Sequence, residues 1–365
     1  YDAGGAFSLV AGLFVFESEY EIWLRSFIGF NPPTLALDVY QYTHQEAESE
    51  AIFFEADYRV TDSLKLTIGG RYTEDFKVSR QIGAQADTTG QHPEKEWSKF
   101  TPKVGVTYDI SDNLMAFGTF STGYRAGGYN GRVQDGLIQA RTPYNPETVD
   151  SFEVGIKTEL LDGRVRLNAN VFSMDFEDKQ EDMKFPNPDG PTGQASLVVN
   201  AAEATIKGLE AEIQAQVTES LYVRANLGLL DAEYDTFQAQ SVVDGTVYDY
   251  SDRELRRAPD FTANIDATYS IDLAGGEAWA RVGARYVDSH YTDAENSPEL
   301  YNDDGTLTLD ASLNYRRDDL TISVFGRNIT DEDAWTMGYD VQPLWSYGAV
   351  QEPRVFGIEM MFEYN

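Results

Sequence analysis

Apolar and polar residues alternate with a period of two along most of this chain. In residues 307–316, Leu307, Leu309, Ala311, Leu313 and Tyr315 fall on one side, and Thr308, Asp310, Ser312, Asn314 and Arg316 on the other. Residues 261–269 repeat the pattern, with Phe261, Ala263, Ile265, Ala267 and Tyr269 against Thr262, Asn264, Asp266 and Thr268. Successive side chains of a strand point to opposite faces, so each such segment predicts a strand with one oily and one wet face. Fourteen are predicted, near 6–17, 50–60, 64–80, 97–110, 113–125, 148–161, 164–180, 196–217, 220–235, 257–273, 277–288, 305–317, 319–330 and 353–364. Short connections such as Thr61-Asp62-Ser63, Ser111-Asp112-Asn113, Asp162-Gly163 and Asp318-Asp319 have hairpin-turn chemistry. They alternate with long connections around 18–49, 81–96, 126–147, 181–195, 236–256, 289–304 and 331–352.

Strand length separates this pattern from a soluble sandwich or propeller. Strands in soluble folds average about 5–6 residues, whereas most of these exceed the roughly 9–11 that a tilted bilayer crossing needs. Short turns at one end and long loops at the other are the signature of outer-membrane barrels. Tyr72, Tyr108, Tyr269, Tyr286 and Tyr364 end the oily rows, where an interfacial aromatic girdle belongs. The fold class expected is all-β: an antiparallel transmembrane β-barrel with short turns, and both chain ends, on the periplasmic side.

Composition narrows the chemistry. The chain has 365 residues, 61 acidic against 28 basic side chains, and a net charge of −33. A surface this acidic repels phosphate, so no nucleic-acid partner is expected. Absence of cysteine removes thiolate metal sites and thiol catalysis. His44, His92 and His290 are far apart in sequence, so no metal cluster and no cofactor are expected. Asp303-Asp304-Gly305 and Asn187-Pro188-Asp189-Gly190 fit either calcium ligation or plain turns. No nucleophile elbow or catalytic triad is suggested, and an enzyme is not expected. Acidic residues concentrate in 18–50 and 231–254. They fit a solvated surface bridged by divalent cations to acidic lipid headgroups, or steering of a cationic ligand.

Several stretches resemble the C-terminal part of TonB-dependent outer-membrane receptors. They include Ser121-Thr122-Gly123-Tyr124-Arg125-Ala126-Gly127-Gly128-Tyr129-Asn130-Gly131, then Asn145-Pro146-Glu147-Thr148-Val149 and Phe152-Glu153-Val154-Gly155. Asn200-Ala201-Ala202-Glu203-Ala204, Arg257-Ala258-Pro259-Asp260-Phe261, Gly326-Arg327-Asn328-Ile329-Thr330-Asp331 and Pro353-Arg354-Val355-Phe356-Gly357 follow in the same order. The resemblance implies a 22-stranded barrel filled by an N-terminal plug and coupled to TonB by a short leading segment. It implies capture of a scarce extracellular ligand, a ferric siderophore first, and import driven through TonB from the bacterial outer membrane. All of 1–365 reads as barrel, with no plug domain in this chain, so it is expected to be the C-terminal portion of a longer receptor. A self-closing 14-stranded diffusion channel, or a surface barrel that binds a partner protein, are the alternatives.

Ligand capture is assigned to aromatics and arginines in the long loops: Tyr124, Arg125, Tyr129, Arg132, Trp335, Tyr339, Trp345 and Tyr347. Aromatic faces with hydrogen-bonding tips suit a flat amphiphilic ligand. Arg125 and Arg132 would pair with its carboxylates. The same aromatics also suit girdle and loop packing.

Overall fold

The structure is a computed structural model and describes residues 5–30, 35–83, 93–131, 142–186, 194–240, 245–341 and 345–364. Its strands are β1 (Phe7–Phe30), β2 (Leu35–Arg59), β3 (Leu64–Gly83), β4 (Glu94–Ser111), β5 (Leu114–Arg125), β6 (Glu147–Leu160), β7 (Val165–Pro186), β8 (Gln194–Gln216) and β9 (Leu221–Gln240). They continue as β10 (Val247–Asp249), β11 (Phe261–Leu273), β12 (Gly276–Val287), β13 (His290–Tyr291), β14 (Tyr301–Asn302) and β15 (Thr306–Arg317). The last are β16 (Leu320–Arg327), β17 (Trp335–Val341), β18 (Trp345–Val350) and β19 (Val355–Phe362).

One antiparallel sheet of 15 strands forms the wall, in the order β1 to β9, β11, β12, β15, β16, β19, with β10 attached to the outer end of β9. Setting β10 aside leaves the fourteen wall strands that the alternation predicts. Each pairs with its neighbour in sequence. β1 and β19 end the path, and no pairing joins them among the described residues.

The short turns are built by local chemistry. Leu64 N donates to Thr61 Oγ1 and Leu221 N to Thr218 Oγ1, both at 3.0 Å, so two Thr-x-Ser-Leu sequences make the same hydroxyl-capped turn. Asp162, Gly163, Ala274, Gly275 and Asp318 take the positive φ that tight hairpins demand. Arg59 N bonds to Ala6 O and Glu363 N to Asp319 O, placing the start of β1 and the end of β19 at this same rim.

Registers join the oily rows into a continuous belt. Ile358, Val324, Leu313, Ala280 and Tyr269 lie side by side across five strands. Leu313 is 66% exposed and Ile358 70%, which in water would be an aggregation surface. In lipid it is the expected outer face. The opposite face is wet: Arg281 pairs with Asp266 at 2.6 Å, Arg316 with Glu277 at 2.7 Å and Lys103 with Glu55 at 2.7 Å.

The long connections differ from expectation. Residues 18–49 are mostly strand: β1 and β2 pair without a register shift from Phe7↔Tyr58 to Phe30↔Leu35. At about 3.4 Å per residue, this ladder runs far beyond a bilayer. Its outward row changes from Leu13 and Val15 to Glu17, Glu19 and Glu21, so the polarity of the alternation reverses where lipid ends. Similarly, β7, β8 and β9 extend outward, and a bulge at Asp178 (φ 52°) shifts the β7–β8 register. Loop 289–304 holds β13, β14 and a 3-10 turn at Pro298–Leu300, and 331–352 holds the β17–β18 hairpin. Asp304 and Gly305 adopt positive φ, and Asp303 Oδ1 accepts Asp304 N at 3.0 Å, the geometry of a turn. The other calcium candidate, 187–190, lies outside the described residues.

Among the described residues the main buried apolar cluster sits in these extensions: Met183, Phe185, Leu197, Ala202, Ala204, Tyr234, Phe237, Ala239 and Leu255.

Candidate ligand-binding surface at the loop end

Where β5 leaves the wall, residues 126–131 cross over the outer ends of β2 and β3. Four inward side chains of those strands hold its carbonyls. Lys77 Nζ donates to Gly127 O at 2.7 Å, Gln45 Nε2 to Tyr129 O at 3.4 Å, and Thr43 Oγ1 to Gly131 O at 2.7 Å. Gln81 Nε2 donates to Asn130 O. On the other flank, Asn130 exchanges two bonds with Val198 of β8, at 2.7 and 3.0 Å. Gly127 and Gly128 are required by crowding: a Cβ on Gly127 would sit 2.6 Å from the Trp97 ring, and Gly128 is bridged to Tyr144 at 3.1 and 2.8 Å.

Three of the expected site residues meet here. Tyr124 Oη and Asp75 Oδ2 are buried together in this corner, and burial with the neighbouring Asp75 carboxylate raises the pKa of the Tyr124 hydroxyl. Tyr129 is 6% exposed, so its ring packs and its carbonyl anchors the crossing segment. Arg125 is exposed and opposite Glu147 in register, yet Glu147 Oε2 accepts Gln180 N at 2.7 Å. Among the described residues the Arg125 guanidinium has no ion pair, although the chain carries 33 excess negative charges.

A second group lies on the β17–β18 hairpin. Tyr339 Oη donates to Ser196 Oγ at 3.2 Å, and Ser196 Oγ donates to Asp182 Oδ1 at 2.8 Å. Lys184 Nζ stands 4.3 Å from the centre of the Tyr339 ring and 3.2 Å from Glu295 Oε2. Burial raises the Glu295 carboxyl above its ordinary range, and Lys184 opposes that rise without cancelling it. Trp335 N donates to Asn302 Oδ1 at 2.7 Å and Trp335 O accepts from Asn302 Nδ2 at 3.0 Å, fixing the hairpin base. The Tyr347 ring lies tilted against Tyr339, centroids 5.6 Å apart, and remains 52% exposed. Arg132 and the side chain of Trp345 lie outside what the structure describes.

Among the described residues no hydrogen bond, ion pair or ring contact joins the two groups. Each docks on the same piece of β8, Asn130 at Val198 and Tyr339 at Ser196, so the β7–β8 extension is the shared platform. Sequence reasoning missed the residues that build it: Lys77, Gln81, Trp97, Tyr144, Asp182 and Lys184. A signal for the first two was present, since Asp75, Lys77, Ser79 and Gln81 are polar at alternate positions beyond the girdle residue Tyr72. Further down, the wet face is concave: a cavity of about 390 Å³ is lined by Asp266, Arg281, Arg285, Asp310, Asn314 and Glu359, among others.

Comparison with known proteins agrees with this architecture. The family model "TonB dependent receptor-like, beta-barrel" matches residues 2–329. The ferric-pyoverdine M114 receptor of Pseudomonas sp. (strain M114) is 24% identical over 76% of this chain and 32% of its own length. The ferripyoverdine receptor of Pseudomonas aeruginosa is 23% identical over 81% of this chain and 33% of its own. Among solved structures, the ferric yersiniabactin uptake receptor of Yersinia pestis superposes with a TM-score of 0.81 at 20% identity, covering 100% of this chain and 52% of that one. The siderophore receptor PiuA of Acinetobacter baumannii gives a TM-score of 0.76 at 18% identity, covering 100% and 54%. The chain thus spans about a third of the curated relatives and half of the solved chains.

Proposed function

This chain belongs to the TonB-dependent receptor β-barrel family, and from that premise we propose that it is the wall and outer capture surface of a siderophore receptor in the bacterial outer membrane. The protein would take up a ferric siderophore from outside and import it by TonB-coupled transport. The observation that carries this reading is Arg125: an exposed guanidinium without an ion pair among the described residues, at the wall's outer rim, in a chain matching receptors named for ferric siderophores. A guanidinium that no described carboxylate pairs with is a partner for an anionic ligand. Tyr347 adds an aromatic face to the same end of the barrel.

Ion-paired side chains on the wet face, such as Arg281 with Asp266 and Arg316 with Glu277, supply a polar surface against which a plug can pack. Eight further strands and that plug would come from the rest of a 22-stranded receptor. The family consists of receptors and transporters, and the reading includes no catalysis. A passive channel is the competing function, favoured by the same wet face. Uptake of iron-55-labelled siderophores by cells with and without the gene, before and after collapse of the proton gradient, tests the proposal. Uptake that survives the uncoupler, together with open-channel conductance of the purified protein, would replace it with the channel.

A further inference from the structure

The outer half of the β1–β2 hairpin carries a cluster that neither the membrane wall nor the capture surface uses. Register sets Glu19 opposite Glu46 and Glu21 opposite His44, so the four side chains share one face of the ladder, above the oily row. His44 is the centre: its side chain is 7% exposed, and both ring nitrogens face carboxylates. Nε2 lies 2.8 Å from Glu46 Oε1 and 3.8 Å from Glu19 Oε1. Nδ1 lies 3.5 Å from Glu21 Oε1 and has no hydrogen-bond partner. Like charges directly opposite on paired strands repel, and Glu17↔Glu48 repeats the conflict one step below Glu19↔Glu46. Arg80 offers one positive charge, 3.5 Å from Glu46 Oε1.

We propose that His44 Nε2, Glu19 and Glu46 bind a divalent transition-metal ion, zinc first, with Glu21 orienting the imidazole through its Nδ1–H. One potential ligand atom from each of the three lies within 4.8 Å of the others. Zinc holds nitrogen and oxygen ligands at about 2.0–2.2 Å, which sets tetrahedral ligands about 3.4 Å apart. The separations of 2.8 and 3.8 Å bracket that value. Metal-bound imidazoles characteristically donate their second nitrogen to a carboxylate. Glu21 is held for that role by Tyr42, whose Oη donates to its Oε1 at 2.9 Å. Imidazole nitrogen excludes calcium and magnesium as preferred ions, and the absence of thiolate points to the zinc, nickel and cobalt range. The scattered histidines made a metal site unexpected from sequence; cross-strand register supplies carboxylates where further histidines would have been needed.

The proposal is independent of which ligand the receptor captures. Its test is metal content of the detergent-purified protein after chelator treatment and dialysis against zinc. One zinc per chain is expected, with affinity at least tenfold lower in His44→Gln and in Glu19→Gln. Glu219→Gln, in a short turn at the opposite end, should match wild type. Cobalt should give tetrahedral visible absorption that His44→Gln abolishes, and excess calcium should not displace zinc. Should His44→Gln fail to assemble, Glu19→Gln carries the test, since its carboxylate is 70% exposed. Equal zinc in wild type and both variants, no retained zinc, or displacement by calcium would each overturn the assignment.

Discussion

Val282→Arg tests the orientation of the whole wall. Val282 is 54% exposed and lies beside Ala267 and Ala311 on the two neighbouring strands. Tyr286 stands four residues above it, and Ala278, paired with Tyr315, four below. Four residues are about 14 Å of strand, or about 10 Å of depth at a 45° tilt, so Val282 sits near the middle of the bilayer. An arginine there costs about 2–4 kcal/mol, while one near the interface costs about 0–1 kcal/mol. Leu307, paired with Tyr286, provides the interfacial comparison through Leu307→Arg. The midplane variant should therefore shift the unfolding constant by roughly 30- to 700-fold, and the rim variant by less than roughly tenfold. Arg281→Leu, one residue away on the wet face, removes an ion pair whose arginine is 61% exposed and should cost at most about 1 kcal/mol. Urea unfolding of the protein in phosphatidylcholine vesicles, followed by tryptophan fluorescence, reads all three. Equal losses for Val282→Arg and Leu307→Arg would mean a protein-packed face and would refute the lipid assignment.

Other variants probe the loop end. Arg125→Gln should weaken binding of an anionic ferric siderophore by roughly 10- to 100-fold, the worth of a charge-assisted hydrogen bond; an unchanged Kd in equilibrium binding removes Arg125 from the site. Gly127→Ala drives a methyl into the Trp97 ring and the Tyr144 carbonyl, overpacking worth about 1–3 kcal/mol. Hydrogen exchange at the Gly128 and Tyr144 amides should accelerate while the wall amides stay protected. Glu295→Gln bears on pH. The folded carboxyl titrates above its ordinary 4.5, so the folded state binds the extra proton. Its contribution to stability is fully present below the unfolded pKa and is lost as pH rises through the folded one. At neutral pH the glutamine variant should resist proteolysis of the loop platform at least as well as wild type, with the difference vanishing below about pH 4. A variant that is markedly more labile at pH 7 would show that the Lys184 pair outweighs burial.

The wall was legible because lipid dictates it. A strand with oil on one side and water on the other must alternate, as Leu307 to Tyr315 do, and strand length then separates a membrane wall from a soluble sandwich. The turns were equally readable from Thr61, Asp162-Gly163 and Asp318. What stayed hidden lies above the lipid, where water on both sides relaxes the rule. Glu17, Glu19 and Glu21 continue the period of two with the opposite sign, and reading only oily rows ended β1 some thirteen residues early. Loop aromatics beside arginine are the capture residues that sequence suggests, but their burial depends on contacts made at long range. Tyr129 is enclosed by a segment whose bonds reach back to Thr43 and Gln81 and forward to Val198. No local signal separates that ring from Tyr347, which stays in solvent.

The two ends of the wall are stabilised by different physics. At the short-turn end the chain has little to bury, and belt burial in lipid plus hydrogen-bonded ladders hold each hairpin. At the loop end the hydrophobic effect acts in the ordinary aqueous way, on Phe185, Leu197 and Phe237, each no more than 1% exposed. Charges that a membrane would forbid are tolerated there: Glu181 is fully buried but takes a hydrogen bond from Tyr234 Oη at 3.0 Å and lies 3.2 Å from Arg256. An outer surface made this way can be restructured in sequence without altering the barrel, because the belt and the platform share strands but not their source of stability. That separation explains why a chain only 18–24% identical to its relatives keeps their wall while its outer surface carries residues, Arg125 and His44 among them, that must be read from its own geometry.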